Sequence, residues 1–243
     1  MKHTVYVVGI GPGSSSGMTV EARQTLEACD CIIGYTTYIK LIEQEFSHKE
    51  LLATGMTKEV DRCRLVVDKA REGKTVALIS SGDAGIYGMA GIMHEVAASC
   101  GDIEVVVIAG VTAASSGAAL LGAPLVHDVC LISLSDLLTP WAVIEKRLHC
   151  AAEGDFVIVL YNPASKKRAD YLNKACQIIR QHQKDSTPAG IVRSIGRQGE
   201  TAEITTLGQL SDQKLDMFST VFIGNSQTKV VDGKMVTPRG YVL

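Results

Sequence analysis

Short β-branched runs that break at glycine clusters constrain this chain most. Residues 4–8 lead into Gly9-Ile-Gly-Pro-Gly13, and residues 75–79 lead into Ser80-Ser-Gly-Asp-Ala-Gly-Ile-Tyr-Gly-Met-Ala-Gly91. A five-residue apolar run reads as a buried strand, and glycine at its end lets the backbone turn sharply beside a ligand. Open α/β sheets place their binding crevices at that end of the strands. Further strands are expected at residues 31–33 and 104–108. A helix is expected over residues 59–72, where Val60, Cys63, Val66, Val67 and Ala70 keep helical spacing. This alternation predicts a mostly parallel sheet covered on both faces.

The second half reads differently. Strands are expected at residues 156–161, 189–193, 203–207 and 220–224, with fewer helices between them. Residues 230–236 read as a hairpin on an Asp-Gly turn, so antiparallel pairing is expected there. The chain is therefore expected to be α/β with two domains, residues 1–113 and 114–243, sharing a cleft. No linker marks the boundary, which is placed within residues 111–122.

A dinucleotide site fits poorly. The fingerprint G-x-G-x-x-G would need glycine where Ser14 stands, and Pro12 removes an N–H donor from the arc that would cradle phosphate. The strand over residues 31–33 ends in Gly34-Tyr35, with no carboxylate for a ribose, and no G-x-x-x-x-G-K-[ST] pattern occurs. A net charge of −2 over 243 residues gives no overall basic field, so no nucleic acid is expected as partner. The 46% hydrophobic and 21% charged content is that of a soluble globular protein, and no apolar run is long enough to span a membrane. The start Met1-Lys-His-Thr lacks a secretory pattern, and seven scattered cysteines without a C-x-x-C pair read as reduced thiols in a cytoplasm. Cys29 and Cys31 read as core residues, and no metal site is expected.

Gly9-Ile-Gly-Pro-Gly13, Ser81-Gly-Asp-Ala-Gly-Ile-Tyr87, Gly110-Val-Thr-Ala-Ala114, Tyr161-Asn-Pro163 and Thr205-Thr-Leu-Gly208 follow one another along the chain. In that order they resemble the successive motifs of the tetrapyrrole methylase family, across essentially the whole length. The run Ile132-Ser-Leu-Ser-Asp-Leu-Leu-Thr-Pro-Trp141, Ile144-Glu-Lys-Arg147 and the ending Thr237-Pro-Arg-Gly-Tyr241 resemble its branch that methylates C17 of a corrin precursor.

The resemblance implies the two-domain class III methyltransferase fold, with a mostly parallel N-terminal sheet and a mixed C-terminal sheet. It also implies a homodimer with S-adenosyl-L-methionine in the cleft, and ring contraction accompanying methyl transfer. The substrate is expected to be cobalt-factor III, with metal-free precorrin-3B as the alternative. Other family substrates (uroporphyrinogen III, a modified protein histidine, ribosomal RNA) and a nucleotide-binding module are the competing readings. No iron–sulfur cluster is expected, because the chain ends at Leu243 without clustered cysteines.

Carried over by motif, the cofactor contacts are Pro12, Ser81, Gly82, Asp83, Ile86, Thr112 and Ala113, then Tyr161, Asn162 and Gly190. A sulfonium cofactor carries no phosphate, so Pro12 is no handicap to it. Asp83 at a strand end suits hydrogen bonds from a ribose or an amino group. Ring contraction moves protons, for which Asp83, Tyr87 and His127 are the candidates, with Asp128, Ser135 and Asp136 near them. Lys166, Arg168, Arg193 and Arg239 are candidates to receive the substrate carboxylates, arginine being suited to bidentate contacts. For any one of these charges a solvated surface role is the plainer reading.

Overall fold

The computed structural model describes residues 2–164 and 170–242. Residues 1–113 and 114–243 form two compact units.

The first unit begins with strand β1 (His3–Gly9), followed by helix α1 (Val20–Ala28) and strand β2 (Cys31–Tyr35). Helix α2 (Thr36–Ile42), strand β3 (Glu50–Thr54), helix α3 (Glu59–Arg71), strand β4 (Val76–Ser80), helix α4 (Ala90–Cys100) and strand β5 (Ile103–Ile108) complete it. The strands form one parallel sheet in the order β3-β2-β4-β1-β5. Alternate residues feed two cores. Val5, Val7, Ile33 and Leu78 pack with Cys63, Val66 and Met93 from α3 and α4. Val8, Ile32, Ala77 and Ile79 pack with Ala22, Leu26, Ile39 and Phe46 on the α1 and α2 side. Both faces are thus covered, which is why β4 is buried at all five positions.

The expected helix over residues 59–72 forms, with one correction. Val60 is 43% exposed, since it falls off the buried stripe of Cys63, Val66, Val67 and Ala70. Strand β3 went unread because ELLAT on a half-buried sheet edge carries no clean alternation.

The second unit opens with helix α5 (Ala113–Leu121), strand β6 (Gly122–Ala123), strand β7 (Val129–Ser133), helix α6 (Trp141–Glu153) and strand β8 (Val157–Tyr161). Helix α7 (Tyr171–Ile179), strand β9 (Pro188–Arg193), strand β10 (Thr201–Thr206), helix α8 (Leu207–Leu210), strand β11 (Ser219–Ile223) and the hairpin β12 (Lys229–Val231) and β13 (Lys234–Val236) follow. Its main sheet has the order β10-β9-β11-β8-β7. Only β7 and β8 run parallel as neighbours, so the sheet is mixed. The hairpin turns at Asp232 and Gly233, both at positive φ, as a type I′ turn requires. It joins β6 in a separate three-stranded ribbon rather than the main sheet.

Candidate functional site

In the first unit the chain leaves β1 toward β2 on one side and leaves β4 toward β5 on the other. These connections pass to opposite faces of the sheet, with α1 on one and α4 on the other, and adjacent strands connected in this way leave a crevice between their carboxyl ends. Both glycine stretches lie there. Gly11 and Gly82 form a backbone bridge, the Gly11 N–H donating to the Gly82 carbonyl at 3.1 Å and the Gly82 N–H to the Gly11 carbonyl at 2.7 Å. Gly110, just past β5, closes the third side. A Cβ on Gly9 would stand 2.7 Å from both Gly110 N and Gly82 O, and one on Gly110 would stand 2.6 Å from the Gly9 carbonyl carbon. Main chain packed this closely admits only glycine.

Asp83 ties these turns together. Its Oδ1 accepts from Gly85 N at 2.8 Å and Ile86 N at 3.0 Å, and its Oδ2 accepts from Gly110 N at 2.9 Å. The loops carrying Ser81–Asp83 and Thr112–Ala113 meet, with the Cβ direction of Gly82 3.8 Å from Ala113 N and Thr112 Cα. Pro12 packs on Gly17 in the turn after β1. Tyr87 projects from the same loop, 54% exposed and at φ 54°. Non-glycine residues rarely adopt that backbone, and such strain collects at ligand sites.

Backbone N–H groups at Gly11, Gly82, Gly85, Ile86 and Gly110 are spent within the crevice. A diphosphate needs such donors free and pointing outward, so the donor set does not fit a dinucleotide. It does fit a ligand without phosphates that offers its own hydroxyl and amino donors.

In the second unit the carboxyl ends of β7 and β8 meet through side chains. Asn162 Nδ2 donates to Ser133 Oγ at 2.9 Å, Ser135 N donates to the same oxygen at 3.2 Å, and Tyr161 Oη accepts from Ala114 N at 2.9 Å. Asn162 also holds positive φ, at 52°. Ser133 was missed in the sequence, where a serine inside an apolar run carries no signal of its own. Nearby, Tyr171 donates to Asp136 Oδ2 at 2.6 Å and packs on Trp141, and that hydrogen bond raises the Tyr171 phenol above its ordinary range.

The other expected residues are spread over both ends of the second unit's sheet. Gly190 lies on β9, two strands from β8, where its bare Cα lets Leu121 pack onto the sheet. Arg193 ends β9 at the same edge as Tyr161, 3.4 Å from Glu203. His127 precedes β7, so it stands at the opposite end of that strand from Ser133, roughly 20 Å away at 3.3 Å per residue, and it faces Asp128 at 3.6 Å. Arg239 is with it, donating to the Val126 carbonyl at 3.5 Å. Lys166 and Arg168 lie outside the described residues. Burial pushes the Cys29 thiol up to about 12 and Cys31 to about 11, which makes them inert packing groups.

A doubly wound parallel unit with a main-chain crevice, joined in sequence to a mixed-sheet unit, defines a two-unit α/β protein. The family model of the tetrapyrrole (corrin/porphyrin) methylases matches residues 4–211, and the chain belongs to that family. It is 50% identical to the probable cobalt-factor III C(17)-methyltransferase of Salmonella typhimurium over 238 residues, 98% of this chain and 99% of that protein. It is 38% identical to the precorrin-3B C(17)-methyltransferase of a Sinorhizobium species, covering 99% of this chain and 98% of that one. The crystal structure of the methyltransferase CobJ superposes with a TM-score of 0.92 at 32% identity, covering 98% and 100% of the two chains.

Proposed function

We propose that this chain is an S-adenosyl-L-methionine-dependent C17-methyltransferase of corrin biosynthesis that couples methyl transfer to ring contraction, acting on cobalt-factor III in preference to precorrin-3B. The observation that carries this reading is the crevice at the ends of β1 and β4, walled by main chain and with the N–H groups of Gly11, Gly82, Gly85, Ile86 and Gly110 already spent. The naming of the similar proteins supports the choice of substrate, and the cobalt form is favoured because the 50% identical relative is named for it.

Pro12, Ser81, Gly82, Asp83, Ile86, Thr112 and Ala113 of the first unit, with Tyr161, Asn162 and Gly190 of the second, are proposed to hold the cofactor. When bound, it supplies an electrophilic methyl group on a sulfonium. A carboxylate offers about four lone-pair sites. Three at Asp83 are taken by backbone N–H groups, so one remains for a ribose hydroxyl or an amino group.

Positioning of two reactants supplies about 7–11 kcal/mol of barrier reduction, which is why methyl transfer needs no protein nucleophile. Ring contraction needs a proton donor or acceptor. Tyr87, beside the crevice, is proposed for it ahead of His127, which stands at the far end of β7. Arg193 is proposed to receive a substrate carboxylate. The reading carries with it a homodimer, as the family resemblance implies, and a cytoplasmic location, as the unpaired cysteine pattern suggests.

Incubation with methyl-labelled S-adenosyl-L-methionine and cobalt-factor III tests it. Label in the macrocycle, with a product mass and chromophore of the contracted ring, is expected. Label in neither cobalt-factor III nor precorrin-3B, or label in uroporphyrinogen III alone, would defeat it.

A further inference from the structure

Arg62, in the first turn of α3, is 3% exposed. Its Nε donates to Thr54 Oγ1 at 2.6 Å, its Nη2 to the Gly55 carbonyl at 2.9 Å, and its Nη1 to the Met89 sulfur at 3.6 Å. None of these partners is charged. Among the described residues no carboxylate pairs with it, although Lys58 and Arg71 in and beside the same helix each have one. A guanidinium stays protonated, and buried ions are ordinarily paired because leaving water unpaired is costly. Of its five N–H groups three are used, one of them on a thioether, which is a weak acceptor.

The position is as informative as the missing charge. Thr54 ends β3, and the Met89 N–H is held at 3.1 Å by Oγ of Ser80, the last residue of β4. Arg62 thus lies beneath the carboxyl edge of the first unit's sheet, the edge that carries the crevice and Tyr87. Over it runs the turn from Gly55 to Lys58, with Met56 52% exposed and Thr57 at φ 61°. A β-branched residue in that region is an outlier, and strain of this kind persists at ligand clamps. Met89 is the movable wall, since an unbranched thioether side chain re-packs readily.

We propose that Arg62 is the receptor for a ligand carboxylate at this edge. On docking, the Met89 side chain leaves Nη1, and the carboxylate takes one N–H of Nη1 and the second of Nη2 as a bidentate pair, while Nε and Nη2 keep Thr54 and Gly55. The source of the carboxylate rests on the proposed function: an acid side chain of the tetrapyrrole, or the amino-acid end of the cofactor.

The test is calorimetric titration of wild type and Arg62→Met with S-adenosylhomocysteine and, separately, with uroporphyrin III as a polycarboxylate tetrapyrrole, alongside thermal unfolding. Arg62→Met is expected to unfold no earlier than wild type, because it removes an uncompensated buried charge, and to lose at least tenfold in affinity for one probe. Loss for S-adenosylhomocysteine assigns the carboxylate to the cofactor, and loss for uroporphyrin assigns it to the substrate. Wild-type affinity for both probes, whatever the stability, would overturn the inference. If Arg62→Met fails to fold, Arg62→Lys is read instead: the charge without the fork should give the same tenfold loss, and unchanged affinity would overturn the inference. Should wild type bind neither probe, the proposed function fails by itself. Stabilisation by millimolar citrate, present in wild type and absent in the variant, then still supports the carboxylate receptor, and equal stabilisation overturns it.

Discussion

The two sheets close their carboxyl edges by different means. In the first unit main chain meets main chain, with Gly9, Gly82 and Gly110 in contact and Asp83 binding three of the surrounding N–H groups. In the second unit side chains do it, through Asn162, Ser133 and Tyr161. A main-chain closure tolerates no Cβ and so writes itself into the sequence as glycine. A side-chain closure has many chemical solutions and leaves no such trace.

The contrast predicts a steep order of sensitivity. Gly110→Ala drives a Cβ into backbone that cannot yield and should cost about 3 kcal/mol, the upper end of overpacking penalties, as read by urea denaturation. A loss under 1 kcal/mol would mean that the three turns are not packed as described. Asp83→Ala strands three N–H groups and should cost about 2 kcal/mol, with a drop of at least tenfold in S-adenosylhomocysteine affinity by calorimetry. Asp83→Asn, which keeps an acceptor oxygen, should recover part of both. Unchanged affinity in a folded Asp83→Ala would remove the residue from the cofactor's surroundings.

Across the comparison, Tyr161→Phe removes the acceptor for Ala114 N and should cost about 1 kcal/mol. An effect as large as that of Gly110→Ala would erase the distinction between the edges.

The smallest effect lies where the units are alike. Hydrogen bonds from Arg71 hold the Asp102 carboxyl below its ordinary range, and those from Arg180 do the same for Asp185 in the second unit. A depressed folded value means that the stabilisation is complete above the ordinary carboxylate range and is lost as pH falls through the lowered value. Arg71→Gln and Arg180→Gln should each flatten the acid limb of stability below about pH 4 slightly and equally. A loss confined to alkaline pH would contradict the sign.

This difference also decides what could be read beforehand. The parallel sheet, its main strands and helix α3 followed from periodicity, and the crevice followed from glycine at strand ends. Pro12 and the missing third glycine already argued against a diphosphate, and the internal use of the N–H groups at Gly11, Gly82 and Gly110 gives that argument its physical content. The second unit's strands were legible, but its site residues rested on likeness. His127 was attractive by residue type alone, and nothing in its neighbours disclosed that it stands before β7 rather than after it. Arg62 was silent for the opposite reason: an arginine on a helix reads as solvated surface, and only the burial of its guanidinium, with no counter-ion among the described residues, distinguishes it.

Calorimetric titration of the wild-type protein with S-adenosylhomocysteine, set against the same titration with NADH, tests the central claim most directly. The crevice at the ends of β1 and β4 should give saturable heat with S-adenosylhomocysteine and none with NADH. Saturable heat from NADH and silence from S-adenosylhomocysteine would contradict it.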